Sequence, residues 1–341
     1  ERFARDKFEV GSSIEQPDAI LLRSHKLQGE PVPDSLLAVA RAGAGVNNIP
    51  VDDYGKQGIV VFNTPGANAN AVKELVLAGM LLATRGILPG IAYAQSLGDM
   101  TDSAAMHALL EKEKARFAGG ELRGKTLGIV GLGAIGSMVA DMALALGMKV
   151  LGFDPALSID AAWRLSNAVQ RMENLPALLG RSDYVSLHVP ALDATRHMIN
   201  AQALGGIKPG AVLLNFAREG IVDNQAVVDG LNAGRLHAYI CDFPSNVLRQ
   251  HPRAIAIPHL GASTEEAEEN CAMMVADQVT DYLQNGNIRN SVNFPGITIN
   301  TLWGEMAAQI GDDAFSVMAA NDAERTAPGT GTIKAAFGGK P

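Results

Sequence analysis

Short apolar runs alternate with segments of helical period along most of the chain, and stretches bearing Gly, Pro or Asn separate them. That alternation marks parallel α/β units, whose strands are buried on both faces and so read as unbroken apolar stretches. In the first part the pattern predicts strands at 19–22, 37–40 and 59–62. A long apolar helix is predicted after Pro65, over about 69–85. It is hydrophobic around much of its circumference, which suits a helix buried between two domains. The stretch 101–120 is charged and rich in Ala and Glu, and reads as a surface helix with a connection. Beyond it the alternation restarts, with strands predicted at 127–130, 150–153, 184–187, 212–216, 238–241 and 254–257. Ser263 and Glu266 have the spacing of a capping box that opens a helix to about Leu283.

The two ends of the chain read differently. The chain starts at Glu1, and Phe8, Glu9 and Val10 read as the end of a passage into a strand. A flavodoxin-like sheet has the order 2-1-3-4-5, with its first strand between the second and third. No earlier strand is visible here, so the expectation is a missing native N-terminus and an incomplete or distorted N-terminal sheet. From 296 onward the character changes, and the end, 327–341, is Gly/Pro-rich and expected to be flexible. The segment after 295 lacks the alternating strands of a small regulatory domain, so none is expected there.

Composition removes several classes of function. A net charge of −8 argues against a broad nucleic-acid surface, while leaving room for a few arginines to hold a small anion. The only cysteines, Cys241 and Cys271, cannot build a disulfide framework or a four-cysteine zinc site. His237 and His251 have no partners at metal-ligand spacing, so no metal is assigned. The longest apolar stretch, 75–83, is short for a bilayer and is flanked by Lys73, Glu74 and Arg85. With no signal peptide visible, a cytoplasmic location off the membrane is expected.

The first chemistry appears after the strand at 127–130. Gly131, Gly133 and Gly136 stand at G-x-G-x-x-G spacing between that strand and a helix starting near Ala134 and Ile135. Gly131 permits the tight turn, Gly133 lets backbone approach a pyrophosphate, and Gly136 lets helix pack on strand. The helix N-terminus then offers free N–H groups to phosphate. Asp154 ends the following strand, 18 residues past Gly136 (154 − 136), where a carboxylate accepts from ribose hydroxyls and repels a 2′-phosphate. Strand, glycines, helix and acid in register point to a dinucleotide, with NAD favoured over NADP.

Two further clusters end predicted strands: 214–220, containing Arg218, and 257–264, containing His259. A guanidinium can grip a carboxylate at two points, and an imidazole can take a hydroxyl proton near neutral pH. From the residues alone, each could equally be a structural group.

Taken with Arg41-Ala-Gly-Ala-Gly-Val-Asn-Asn, Asn63-Thr64-Pro65-Gly66, Leu187-His188-Val189-Pro190, 215–223 and 258–264, the chain resembles the D-isomer-specific 2-hydroxyacid dehydrogenases over roughly 18–295. The likeness is strongest to the branch that oxidises D-3-phosphoglycerate. It implies two doubly wound parallel-sheet domains, a Rossmann NAD domain inserted into a flavodoxin-like substrate domain. The implied division is 1–95 for the first part of the substrate domain, 96–266 for the NAD domain, 267–296 for the return helix and 297–341 for a tail. By the same resemblance, Arg218 orients substrate and His259 is the acid/base. Arg41, Gly45 and Val46 line the substrate site, and Arg23 and Lys26 face a substrate phosphate. Thr64, Ala134, Ile135, Asp154, His188, Val189, Pro190, Ala217 and Asp242 lie at the NAD, with Asp242 accepting from the carboxamide. The implied partners are a phosphorylated 2-hydroxy acid and a second copy of the chain, as homodimer or homotetramer through the NAD domain.

One position departs from the family. Where a glutamate normally pairs with the histidine, this chain has Asn246, a neutral amide that cannot stabilise imidazolium by charge. Either a nearby acid such as Glu265 substitutes, or the histidine works unassisted, or activity is poor. Two other activities fit the same motifs: a reductase of glyoxylate, hydroxypyruvate or another 2-keto acid, and an NAD-sensing binding protein like the C-terminal-binding corepressors.

Overall fold

A computed structural model describes residues 3, 4, 6–297 and 333–338. Its strands, in chain order, are β1 (Phe8–Gly11), β2 (Ala19–Leu22), β3 (Ala38–Arg41), β4 (Val60–Phe62), β5 (Thr126–Val130) and β6 (Lys149–Phe153). They continue with β7 (Val169–Arg171), β8 (Tyr184–Leu187), β9 (Ala211–Asn215), β10 (Leu236–Cys241), β11 (Ala254–Ala256) and β12 (Ile333–Gly338). The chain divides into two compact units, one of Glu1–Asn68 with Thr264–Pro341 and one of Ala69–Ser263. Each is a parallel α/β sheet, as the alternating pattern implies.

The smaller unit holds a five-stranded sheet in the order β1-β12-β2-β3-β4. Alternate residues of its strands point to opposite faces. Ala38, Ala40, Val60 and Phe62 join one core with Val275 and Val279. Val39 and Val61 join the other with Leu36, Ile49 and Tyr54. The helix Glu265–Asn285 supplies Val275 and Val279 to the first face. Its N-cap is Thr264, whose hydroxyl accepts from the Ala267 N–H at 3.1 Å, and not Ser263 as the spacing suggested. Ser263 is spent one step earlier, its own N–H turning back to the Leu260 carbonyl. Gly286, at φ 74°, ends the helix in the left-handed conformation that glycine adopts without strain.

The expected gap in this sheet is filled. β12 pairs in parallel with β1 (Phe8 opposite Ile333) and with β2 (Ala335 opposite Ala19). It holds the place that the flavodoxin-like order gives to the first strand. The expectation of a flexible end over 327–341 is therefore corrected at 333–338. Ile-Lys-Ala-Ala-Phe-Gly does not alternate and sits among Gly and Pro, so the pattern gave no signal. The remainder of that tail, 298–332 and 339–341, lies outside the described residues.

The larger unit holds a seven-stranded sheet in the order β11-β10-β9-β8-β5-β6-β7. The chain works outward from β5 through β6 to β7, then returns to the other side at β8. That reversal creates a crevice between β5 and β8 at the carboxyl ends of the strands. The strands predicted from pattern recur within a few residues, while β7, only three residues long, was missed. The apolar helix Ala69–Thr84 belongs to this unit and packs Val72, Val76 and Met80 into one core. Gly79 brings it close to the sheet: a Cβ there would lie 3.1 Å from Leu214 and Phe216 side-chain atoms. The charged helix Ser103–Glu113 buries none of its residues, in keeping with its composition. Among the described residues no single helix is long and apolar enough to cross a membrane.

β12 lies between two parallel neighbours, and Ala335 and Ala336 pair on both sides. Ala335→Pro removes a ladder hydrogen bond and should destabilise the smaller unit by about 1–3 kcal/mol, the scale of a buried partner left unsatisfied. Hydrogen exchange should then lose protection at 8–11 and 19–22 and keep it at 126–130. Unchanged protection in both sheets would remove β12 from the fold.

Candidate functional site

Strand register assembles the site in the larger unit. Val130 lies opposite both Phe153 and Leu187, Leu187 opposite Asn215, Asn215 opposite Cys241, and Cys241 opposite Ala256. Six strands therefore end level, and the residues just beyond them share one edge: Gly131, Asp154, His188, Phe216, Asp242 and Ile257. Arg218 and His259 follow within three residues of Asn215 and Ala256.

At the β5 end, Gly131 takes φ 92° and its N–H donates to the Phe153 carbonyl at 2.9 Å. A Cβ on Gly131 would fall 2.5 Å from the His188 carbonyl oxygen, and one on Gly136 would fall 2.0 Å from the Gly131 oxygen. Neither position admits a side chain. Gly133 differs: a Cβ there would meet nothing within 4 Å. It opens space at the N-terminus of the helix Ala134–Ala145, where Ala134 and Ile135 form the first turn and free N–H groups point outward. Asp154 is tied into the same turn, accepting from Leu132 N–H and Ala156 N–H, each at 2.9 Å. Each of its oxygens keeps a lone pair for a ribose hydroxyl.

His188 is a half-buried residue whose Nε2 shares a hydrogen bond of 2.8 Å with the Ser186 hydroxyl. Its Nδ1 is sealed from solvent with no hydrogen-bond partner among the described residues. Burial pushes its pKa down to about 4, so the ring is neutral at physiological pH. Val189 and Pro190 continue outward, half-buried and exposed. An open cradle at Gly133, a fixed carboxylate at Asp154 and an unmatched polar atom at His188 together fit a bound dinucleotide.

On the β9–β11 side, two buried polar residues shape the loops. Asn215 is fully buried; its amide donates to the Arg218 carbonyl at 2.9 Å and accepts from Ala217 N–H at 3.2 Å. That pair of bonds folds the loop so that Arg218 leaves it at a fixed angle, with Ala217 buried beneath. The Arg218 guanidinium donates back to the Ala217 carbonyl at 2.6 Å, and burial lowers its pKa without discharging it. Asp242 is also buried, and its two carboxylate oxygens accept from Leu260 N–H and Gly261 N–H, each at 2.7 Å. Its carbonyl accepts from His259 N–H at 3.0 Å. His259 is held at φ 56°, a left-handed conformation uncommon for a side-chain-bearing residue.

The imidazole of His259 is exposed and meets the Phe243 ring edge-on, with centroids 5.2 Å apart. Among the described residues it pairs with no carboxylate. Asn246 stands exposed on the loop after β10, with no hydrogen bond to His259 among those residues. Asn215, Ser186 and Phe243 receive no role of their own from the sequence. An asparagine closing an otherwise apolar strand was the one available signal, since a buried amide must find partners.

The substrate-site candidates lie in the smaller unit. Arg23 is exposed and forms an ion pair with Glu268 at 2.5 Å. Its carbonyl accepts from Arg41 Nε at 3.1 Å and from the Asn48 amide at 3.2 Å. The Arg41 guanidinium lies against Gly43, which at φ 145° has no side chain to obstruct it. Gly45 and Val46 continue that turn half-buried, and Lys26 is exposed beside it in sequence. Thr64 is fully buried, its hydroxyl accepting from Gly43 N–H at 2.7 Å, so that oxygen fastens one loop to another. Among the described residues no cluster of His, Cys, Asp and Glu could hold a metal ion.

A histidine kept neutral in the fold and free to protonate on unfolding makes stability depend on pH. Above pH 6.5 both states are neutral and His188 costs nothing; between pH 6.5 and about 4 only the unfolded chain gains the proton. Acidification across that window should cost about 1–3 kcal/mol through this residue, less what its part exposure relieves. His188→Gln should flatten the corresponding part of a plot of stability against pH. An identical plot for both proteins would contradict a sealed neutral ring.

Known proteins agree with this geometry. The chain is 36% identical over 299 residues to the D-3-phosphoglycerate dehydrogenase of Synechocystis sp., covering 85% of this chain and 51% of that protein. It is 34% identical to that of Methanocaldococcus jannaschii, covering 85% and 54%. The chain thus spans about half the length of the curated relatives it matches. Among solved structures, the NAD+-bound 3-phosphoglycerate dehydrogenase of Entamoeba histolytica superposes with a TM-score of 0.64 at 27% identity, over 81% of this chain and 82% of that one. The D-mandelate dehydrogenase of Rhodotorula graminis superposes with a TM-score of 0.69 at 25% identity, over 82% and 84%. The family model for the D-isomer specific 2-hydroxyacid dehydrogenase NAD binding domain matches residues 90–261, half of the chain. The matched stretch contains the glycine turn and the Arg218 and His259 loops, and the chain belongs to the D-isomer specific 2-hydroxyacid dehydrogenases.

Proposed function

We propose that this protein oxidises D-3-phosphoglycerate to 3-phosphohydroxypyruvate with NAD, the reaction that opens serine synthesis. The observation that carries the reading is that Arg218 and His259 follow β9 and β11, the two strands that flank β10, on the same edge as the glycine turn and Asp154. The larger unit is then the NAD domain and the smaller one the substrate domain. The glycine turn, the N-terminus of the helix Ala134–Ala145 and Asp154 would hold NAD, which would supply the acceptor for the hydride that leaves C2 of the substrate. Arg218 grips the substrate carboxylate at two points and stabilises charge on the developing carbonyl oxygen. His259 takes the hydroxyl proton on its ring and returns it to solvent through its exposed face. Asn246, in place of the family's glutamate, leaves that proton without a charged partner. Asp154 accepts from the adenosine ribose and disfavours a 2′-phosphate.

The phosphate is the reason for preferring this substrate to glyoxylate or hydroxypyruvate. A distal phosphate needs its own cations, and Arg23, Lys26 and Arg41 gather within one turn region of the smaller unit. The curated relatives named above carry the same substrate in their names. A second copy of the chain covers the helices Ile87–Ser96 and Ser103–Glu113, which bury none of their own residues and expose Ile87, Leu88 and Ile91. This gives a homo-oligomer joined through the NAD domain, working in the cytoplasm.

Arg218→Lys should lower kcat/KM at least a hundredfold, because an ammonium cannot reproduce a planar two-point grip; the roughly hundredfold figure is the scale of a transition-state contact. His259→Ala should lose about 10²–10⁴ in rate while NAD still binds. Asp154→Ala should weaken NAD and narrow the gap to NADP. NADH formation from a panel of hydroxy acids, with and without phosphate, reads all three; near-wild-type turnover by the Arg218 and His259 variants would refute the assignment.

A further inference from the structure

In the smaller unit the Arg23 backbone is fixed, because its carbonyl accepts from both Arg41 Nε and the Asn48 amide. Its guanidinium is not fixed in the same way. It is about half exposed (45%) and donates to Glu268, itself 52% exposed, at 2.5 Å. Glu265, Glu266 and Glu268 all stand in the first turn of the helix Glu265–Asn285. Among the described residues only Glu268 of the three pairs with an arginine. Favourable interaction with the helix N-terminus explains acids in that turn generally, and does not explain why one of them reaches Arg23.

We propose that Glu268 is a specificity-determining residue: its carboxylate occupies Arg23 as a stand-in anion that a substrate phosphate must displace. The proposal rests on the phosphorylated-substrate reading above. An exposed ion pair is weak, so it yields to a better anion. A phosphate brings nearly two charges and three acceptor oxygens to a guanidinium, against one charge from the carboxylate. A 2-hydroxy acid without phosphate has its one carboxylate engaged by Arg218, and leaves the Arg23–Glu268 pair closed. Glu268 therefore weakens binding of phosphorylated acids, through competition and through repulsion of the incoming dianion, and leaves other 2-hydroxy acids untouched.

The test is Glu268→Gln, which keeps the size and removes the charge at an exposed position. Calorimetry on the NAD-loaded protein measures binding of D-3-phosphoglycerate and of D-glycerate, and steady-state kinetics follow NADH separately. The expected result is a Kd for D-3-phosphoglycerate lowered roughly three- to tenfold, the scale of one like-charge contact near a surface. The change should appear in KM far more than in kcat, D-glycerate binding should not tighten, and the gain should vanish in an Arg23→Ala background. An unchanged Kd, an equal gain for D-glycerate, an equal gain without Arg23, or no binding of D-3-phosphoglycerate to either protein would overturn the proposal. The two readings fail separately. Tighter binding without NADH from either protein would sink the dehydrogenase reading and leave this one. Brisk oxidation of D-3-phosphoglycerate with no tightening in Glu268→Gln would do the reverse.

Discussion

The level ending of the parallel strands in the larger sheet is the constraint on which everything else depends. A parallel ladder points every strand the same way, so all the loops that follow them start from one edge. Because Val130, Leu187, Asn215, Cys241 and Ala256 stand in register across five strands, residues far apart in sequence leave the sheet together. A one-residue slip in β9 or β10 would turn its side chains to the opposite face and move its loop. The chemistry is thus set by backbone pairing first and by side chains second.

Buried polar groups then convert a shared edge into fixed geometry. Asn215 folds the Arg218 loop, and Asp242 gathers the amides of His259, Leu260 and Gly261 with its carbonyl and both carboxylate oxygens. Gly261 can approach because a Cβ there would stand 2.9 Å from an Asp242 oxygen, closer than a real side chain sits. His259 pays a strain cost at φ 56°, of order 1 kcal/mol or more, and is kept there by this over-determined set of bonds. Such a loop holds an exposed imidazole in place without a carboxylate touching the ring among the described residues.

Features that depend on local chain chemistry were legible in the sequence. The glycine turn and Asp154 could be placed because tight turns and helix N-termini demand particular residues at fixed spacing. Arg218 and His259 could be located at strand ends, with their roles supplied by resemblance. What depends on partners distant in sequence was not legible. Nothing in Ile-Lys-Ala-Ala-Phe-Gly shows that it fills a slot more than 300 residues from its neighbours (333 − 22 = 311, 333 − 11 = 322). Thr264 displaced Ser263 as the cap because its hydroxyl meets the Ala267 N–H, while the Ser263 N–H closes a turn onto the Leu260 carbonyl, which spacing does not show. The Arg23–Glu268 pair, the Thr64 bond to Gly43 and the bonds of Asn215 likewise exist only once the chain has folded.

Transfer of isotope tests the proposed chemistry at this edge most directly. D-3-Phosphoglycerate deuterated at C2 should pass its deuterium to the nicotinamide, one per turnover, with none arriving from solvent and none transferred from the L enantiomer. Deuterium lost to water, or equal transfer from both enantiomers, would contradict a site in which Arg218 and His259 present one face of a 2-hydroxy acid to NAD.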